Sequence, residues 1–155
     1  MGLRENLCYD NVTQLPLEEP LIVAPETSVR RTVQVMRSVR AGYALICRGR
    51  RLVGIFTDRD LIKRILVRRV DPASPIEPYM TPEPVTIRCG DPIASAIRIM
   101  FQGHYRHLPV VSEDDVPVGI VSAKHIVAYL VDHYPSTVYN LPPRPGQVQS
   151  TREGA

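Results

Sequence analysis

Tryptophan is absent from the 155-residue chain, phenylalanine occurs twice, and aromatic residues make up 6% of it. Surfaces that bind single-stranded nucleic acid interleave cations with rings on which bases stack, so this scarcity argues against that class. No apolar run approaches the roughly 20 residues needed to span a bilayer, and no membrane association is expected. The opening MGLRENLCYD has neither the apolar core of a signal peptide nor the Ser or Thr that N-myristoylation requires at position 6. Cys8, Cys47 and Cys89 are odd in number and widely spaced. They fit reduced thiols in a cytoplasmic protein better than a disulfide framework or a zinc site.

Enzyme signatures are missing too: the chain has no P-loop, no GxGxxG and no GxSxG. His104 and His107 lie three residues apart without a cysteine or carboxylate cluster beside them, so no metal site is expected. Asp58 and Asp60 are too close on one helical turn to oppose each other as acid and base. The expectation is a protein with no catalytic residues and no required cofactor.

What charge there is lies unevenly. The net is +3, but residues 1–70 hold 13 Lys and Arg against 7 Asp and Glu, whereas residues 71–155 hold 6 against 9. Such asymmetry suits a polyanion-binding face, two halves attracting each other in a dimer, or simply solvated helix faces. The basic half offers only Tyr9, Tyr43 and Phe56 for stacking, so nucleic acid is not favoured.

An internal repeat organises the chain. PLIVAPETSVRRTVQVM (20–36) lies over PVTIRCGDPIASAIRIM (84–100), and YALIC (43–47) over HLPVV (107–111), both at an offset of 64. LVGIFT then lies over PVGIVS at an offset of 65, the single slip falling in the loop SEDD, where an insertion is cheap. Each copy reads as a short extended piece (21–24; 84–88), a helix with apolar i, i+4, i+7 spacing, two strands (43–47 and 52–57; 108–111 and 117–122) and a closing helix (58–68; 123–133). Thr27 or Ser28 caps the first helix (28–39), and Asp91 with Pro92 opens its counterpart. The strands are continuous aliphatic runs, which predicts covering by helices.

The domain reading is an N-terminal segment (1–15), a first repeat (16–69), an extended proline-bearing linker (70–79), a second repeat (80–134) and a Pro-rich, flexible tail (135–155). Within that tail LPPRP is expected in polyproline II form. One such unit would bury little apolar surface, and two stacked units share a core. The fold class is therefore α/β, two β-α-β-β-α repeats packed face to face.

This duplicated order, with YMTPEPVTI (79–87), GHYRHLPVV (103–111), GIFTDRDL (54–61) and GIVSAKHI (119–126), resembles a pair of cystathionine β-synthase (CBS) domains, the tandem called a Bateman module. The resemblance covers roughly residues 16–133. It implies pseudo-twofold symmetry, a dimer formed through helical faces, and adenine nucleotides (AMP, ADP or ATP), or less often S-adenosylmethionine, bound between the repeats to regulate an attached or separate protein. With short termini only, a stand-alone module is expected.

Two readings meet at GIFTDRDL. Thr57 and Asp60 form a capping box, worth about 1 kcal/mol to the helix. The same helix start also suits a phosphate, and a carboxylate there can accept two hydrogen bonds from a ribose diol. The resemblance assigns Asp60 to the ribose and Thr57 to a phosphate or ribose oxygen. It completes the cleft with Met80, Thr81 and Pro82, with Tyr43 and Ala44, and with His107, Leu108 and Pro109. Arg59 and Arg106 are candidate phosphate contacts. Met80 also reads as a core methionine, and Arg106 and His107 as an exposed turn before a buried strand.

In the second copy Ser122 replaces Thr57 and His125 replaces Asp60. A histidine cannot accept a diol as a carboxylate does, so Ser122, Lys124 and His125 make a second site that is weaker, lost or retuned toward phosphate. The alternatives to a nucleotide sensor are a ligand-free dimerisation scaffold and a polyanion binder using the arginines of residues 30–69.

Overall fold

The computed structural model of the protein describes residues 8–133. The whole of the Pro-rich tail (135–155), including LPPRP, and residues 1–7 lie outside the described residues.

The first repeat begins with β1 (Ile22–Val23) and α1 (Val29–Ser38), continues through β2 (Tyr43–Arg48) and β3 (Arg51–Thr57), and closes with α2 (Asp58–Asp60 continuing into Leu61–Leu66). β1 runs parallel to β2, and β2 pairs antiparallel with β3 from Tyr43↔Thr57 to Arg48↔Arg51. β4 (Thr81–Pro82) adds an antiparallel edge to β3. The second repeat repeats the order: β5 (Ile87–Arg88), α3 (Ile93–Gly103), β6 (His107–Val111), β7 (Pro117–Ser122) and α4 (Ala123–His133). Its β5–β6 pair is parallel and its β6–β7 pair antiparallel, opening at His107↔Ser122 just as the first opens at Tyr43↔Thr57.

Three apolar clusters hold this together. Phe56, Ile46 and Met36 centre the first repeat, and Ile93, Leu108 and Val110 centre the second. The third is shared: Tyr43, Leu45, Cys47 and Leu52 of the first sheet meet Val111 and Ile120 of the second. β2 is therefore covered by helices on one side and by the other sheet on its opposite side. That is why its sequence is a continuous aliphatic run rather than an alternation.

Several local expectations are refined. Ser28 caps α1, accepting the Arg31 N–H at 3.0 Å. Asp91 does not cap α3. Its Oδ2 accepts the Arg88 N–H at 3.0 Å and its carbonyl accepts the Val12 N–H, so Asp91 closes the preceding turn, and Pro92 stands at the cap without a side-chain bond. The α3 N-terminus is served instead by the Asp10 carbonyl, which accepts the Ile93 N–H at 2.9 Å. α2 is α-helical only over Asp58–Asp60 and π-helical over Leu61–Leu66. There the Val67 N–H reaches back five residues to the Ile62 carbonyl at 3.2 Å. The linker is anchored rather than free: Ile76 is wholly buried in the first repeat's core, its N–H bonded to the Thr27 carbonyl.

The entry segments are exchanged. Residues leading into the second repeat pair with the first, as Thr81 opposite Ile55. The residue leading into the first pairs with the second: Glu18 and Ile120 exchange both backbone hydrogen bonds, at 3.1 and 3.0 Å. Two glycines make room for this. A Cβ on Gly54 would lie 2.2 Å from the Met80 sulfur, and one on Gly119 would lie 2.8 Å from the Leu17 Cβ. The first sheet is thus extended by a short strand from beyond the linker, and the second is bridged at its edge by the single residue Glu18.

Candidate functional site

Thr57 ends β3 and opens α2, and both halves of the expected capping box form. Asp60 Oδ2 accepts the Thr57 N–H at 3.0 Å, while Thr57 Oγ1 accepts the Asp60 N–H at 3.4 Å. The other oxygen, Oδ1, faces the exchanged strand. Thr81 Oγ1 lies 3.4 Å from it, and so does Arg64 Nε, one helical turn on. Arg64 also donates to the Met80 carbonyl at 2.7 Å and the Tyr79 carbonyl at 3.3 Å, tying the entry segment to α2. Asp60 is only 8% exposed. One of its oxygens is spent on the cap and the other makes two long contacts, which leaves it acceptor capacity.

A cleft of ≈ 240 Å³ opens in front of this carboxylate. Thr57, Arg59 and Asp60 of the first repeat line it, and Thr81, Arg106 and His107 come from beyond the linker. Gly42, Ile55, Asp58, His104 and Tyr105 complete the lining, and none of these was singled out as a ligand contact in the sequence. His104 and Tyr105 belong to GHYRHLPVV, of which only the later residues were chosen. Gly42 is fixed by close approach: its carbonyl accepts the Asp58 N–H, and a Cβ there would lie 2.7 Å from an Asp58 carboxylate oxygen.

The remaining predicted residues lie elsewhere. Tyr43, Ala44, Leu108 and Pro109 are buried and do not line the cleft. Met80 packs over Gly54 at the first core, and Pro82 faces a separate groove with Arg48 and Arg51.

Tyr43 and His107, equivalent positions of the two repeats, meet at the pseudo-twofold axis with ring centroids 4.9 Å apart. Burial lowers the His107 pKa below its ordinary value, with Arg106 and His125 adding to the effect and Glu18 and Asp58 opposing it. His107 is therefore a neutral wall of the cleft at pH 7. Burial raises the pKa of the Tyr43 phenol and of the Cys47 thiol, so both remain protonated. The fixed cations available at the cleft mouth are Arg59 and Arg106, both exposed.

In the second copy His125 takes the place of Asp60 with inverted chemistry. Its Nδ1 accepts the Ser122 N–H at 3.1 Å and stands 3.2 Å from Ser122 Oγ, so the ring does the capping. Its Nε2 faces Glu18 Oε1 at 3.7 Å. Lys124 beside it is exposed. Glu18 was missed in the sequence because its partner lies more than a hundred residues away. Among the described residues no helix is long and apolar enough to cross a membrane, and no group of three His, Cys, Asp or Glu could hold a metal ion.

Comparison with known proteins agrees with this architecture. The chain is 29% identical over 122 residues to an uncharacterised 17.7 kDa protein of Acidianus ambivalens, covering 78% of this chain and 73% of that one. Among solved structures, a CBS domain protein from Pyrobaculum aerophilum complexed with AMP superposes with a TM-score of 0.70 at 23% identity, covering 79% of this chain and 97% of that one. The cytosolic domain of the Mg2+ channel MgtE in complex with ATP superposes with a TM-score of 0.68 at 26% identity, covering 81% of this chain and 52% of that domain. The CBS-domain family profile matches residues 12–67 and 76–132. With its two repeats, crossed entry segments and a cleft lined from both sides of the linker, the chain belongs to the CBS-domain family as a tandem pair.

Proposed function

We propose that the Asp60 cleft binds an adenosine-type ligand and that the protein is a non-catalytic module reporting its occupancy to a dimer mate or regulated partner. The observation that carries this reading is the convergence, in one cleft, of a nearly buried carboxylate with spare acceptor capacity, two hydroxyls (Thr57 and Thr81) and two exposed guanidinium groups (Arg59 and Arg106). Asp60 Oδ1 accepts from the ribose hydroxyls, the first turn of α2 faces the phosphate, and Ile55 contributes apolar wall.

The cleft's own charges favour few phosphates. Arg59 and Arg106 line it together with Asp58, and Asp60 is already paired with Arg64, so the surplus is a single cation, too few for a triphosphate. A cavity of ≈ 240 Å³ is also below the roughly 300–1,000 Å³ usual for ligand sites, which favours the smaller ligands. Among AMP, ADP, ATP and S-adenosylmethionine, AMP fits best. The AMP and ATP bound in related CBS proteins support the class.

Occupancy regulates only if the ligand binds two conformations unequally. Ile76 pins the linker, so the segment that responds is Met80–Pro82, tied to Asp60 through Thr81 and Arg64. A second copy of the chain covers the exposed apolar residues of the helices and their ends: Ile62 and Leu66 on α2 with Val67 at its C-terminal cap, Phe101 on α3 and Val127 on α4.

A ligand-free dimerisation scaffold is the second reading, favoured by the capping box that Thr57 and Asp60 complete without any ligand. A thermal-shift experiment separates the two. At a hundredfold excess over Kd a nucleotide stabilises the fold by about 2.7 kcal/mol, which raises the midpoint by several degrees. No shift with any of the four ligands at millimolar concentration would leave the scaffold.

A further inference from the structure

Residues 27–57 hold seven arginines and no aspartate or glutamate. Four of the seven, Arg30, Arg31, Arg37 and Arg40, lie on α1 or just past its C-terminal end, and all four are exposed. At about 3.6 residues per turn, Arg30, Arg31 and Arg37 share one stripe with Gln34 and Ser38, away from the buried Val29, Thr32 and Met36. Among the described residues none of the four forms an ion pair; the arginines that do are Arg48, Arg51, Arg64 and Arg88. Glu26, before the helix, pairs with none of them, and the Asp71 carboxylate accepts the Ala73 N–H instead.

Folding does not ask for this charge. Arg30 and Arg31 stand in the first turn, where the helix macrodipole disfavours a cation, and no acid in that turn offsets them. The helix start is already satisfied: the Ser74 and Pro72 carbonyls accept the Val29 and Arg30 N–H groups at 2.8 and 2.9 Å, and Ser28 Oγ accepts that of Arg31. The equivalent helix α3 forms without them. At the repeat offset it has Ala94, Ser95 and Phe101 in place of Arg30, Arg31 and Arg37, and Arg98 is its only cation.

We propose that the outer face of α1 is a docking surface for an acidic helical segment of a partner protein. A second copy of the chain does not answer the charge: α1 against itself sets cation against cation, and α3 and α4 hold one acid between them, Asp132. From Arg30 to Arg37 the stripe is about 10 Å long at 1.5 Å per residue. Carboxylates spaced three, four and seven residues apart on a facing helix follow the same rise, and guanidinium takes carboxylate in two parallel hydrogen bonds. Val35 and Val39, the latter 58% exposed, edge the stripe and give a helix an apolar seat that a phosphate backbone does not use. The surface shares no residue with the Asp60 cleft and stands independently of the nucleoside reading.

Fluorescence anisotropy of a labelled helical peptide with glutamates along one face tests it. The proteins are the wild type, Arg30→Gln with Arg31→Gln, and Arg98→Glu, which removes the same charge from α3. The expected result is binding that weakens as salt rises, with at least a tenfold loss of affinity in the α1 variant and little change in Arg98→Glu. The melting midpoint of the α1 variant should equal or exceed that of the wild type, because the first-turn cations oppose the macrodipole. No binding of the peptide, or an equal loss in both variants, would overturn the proposal. A lowered midpoint would overturn it too, by making the arginines part of the helix's own stability. Duplex DNA or phosphatidylserine vesicles that bind more tightly than the peptide, and lose affinity with Arg30 and Arg31, would replace the acidic protein segment with nucleic acid or membrane and so overturn it.

Discussion

Asp60 holds the Thr57 N–H with one oxygen and leaves the other to Thr81 and Arg64 at the long end of hydrogen-bond range. Structure and binding therefore make different demands on the same side chain. Asp60→Asn keeps an acceptor for the cap but loses the two-sided acceptance a diol requires. It is expected to cost no more than about 1 kcal/mol in urea unfolding. His107 gives a pH signature. Its folded pKa lies below the 6.5 of the free side chain because burial disfavours the cation. The unfolded chain then binds more protons, so this group's contribution is complete above pH 6.5 and is lost as pH falls from there toward the folded pKa. His107→Gln, compared with wild type by urea midpoints across pH 5–8, should flatten the rise in that window; an unchanged slope would contradict the assignment. Thr57 and Asp60 were legible because a cap and its partner are three residues apart. Glu18 was not, because the side chain it serves belongs to the other repeat.

At the scale of elements, the crossing entry segments position Thr81 at the Asp60 cleft, and glycine decides whether these segments can approach the sheets. Gly119→Ala drives a methyl against the Leu17 Cβ, a rigid obstacle, and should destabilise by about 1–3 kcal/mol. Gly54→Ala meets the end of the flexible Met80 side chain, which can turn aside, and should cost less. Equal urea midpoints for the two variants would contradict this account of the glycines. The β-α-β-β-α order along each repeat followed from the duplicated periodicity, whereas β4 at Thr81–Pro82 did not. The π-helical stretch of α2 did not, because six residues are too few to separate its wider turn from an ordinary helix by pattern. Asp91 misled for a different reason: Asp-Pro before an apolar run signals a cap, but here the carboxylate closes the preceding turn.

For the whole molecule, duplication supplies what one repeat lacks. The shared cluster around Tyr43, Leu45, Val111 and Ile120 belongs to neither repeat alone. The offset of 64 residues made this architecture readable from the chain, whereas the exchange of entry strands depends on three-dimensional crossing that no periodicity records. The outer helix faces leave Phe101 at 81% and Val67 at 73% exposure, and a second copy is the expected cover. Light scattering should give twice the 17.4 kDa of one chain, and Phe101→Glu with Leu66→Glu should return the monomer. A wild-type monomer at micromolar concentration would contradict the dimer. The central claim is that Asp60 reads a nucleoside. Its most direct test is the AMP affinity of the Asp60 cleft, measured by calorimetry in wild type and in folded Asp60→Asn. The account predicts a loss of at least tenfold, about 1.4 kcal/mol or more of binding free energy. Equal affinity at that cleft in both proteins would reduce Thr57 and Asp60 to a helix cap.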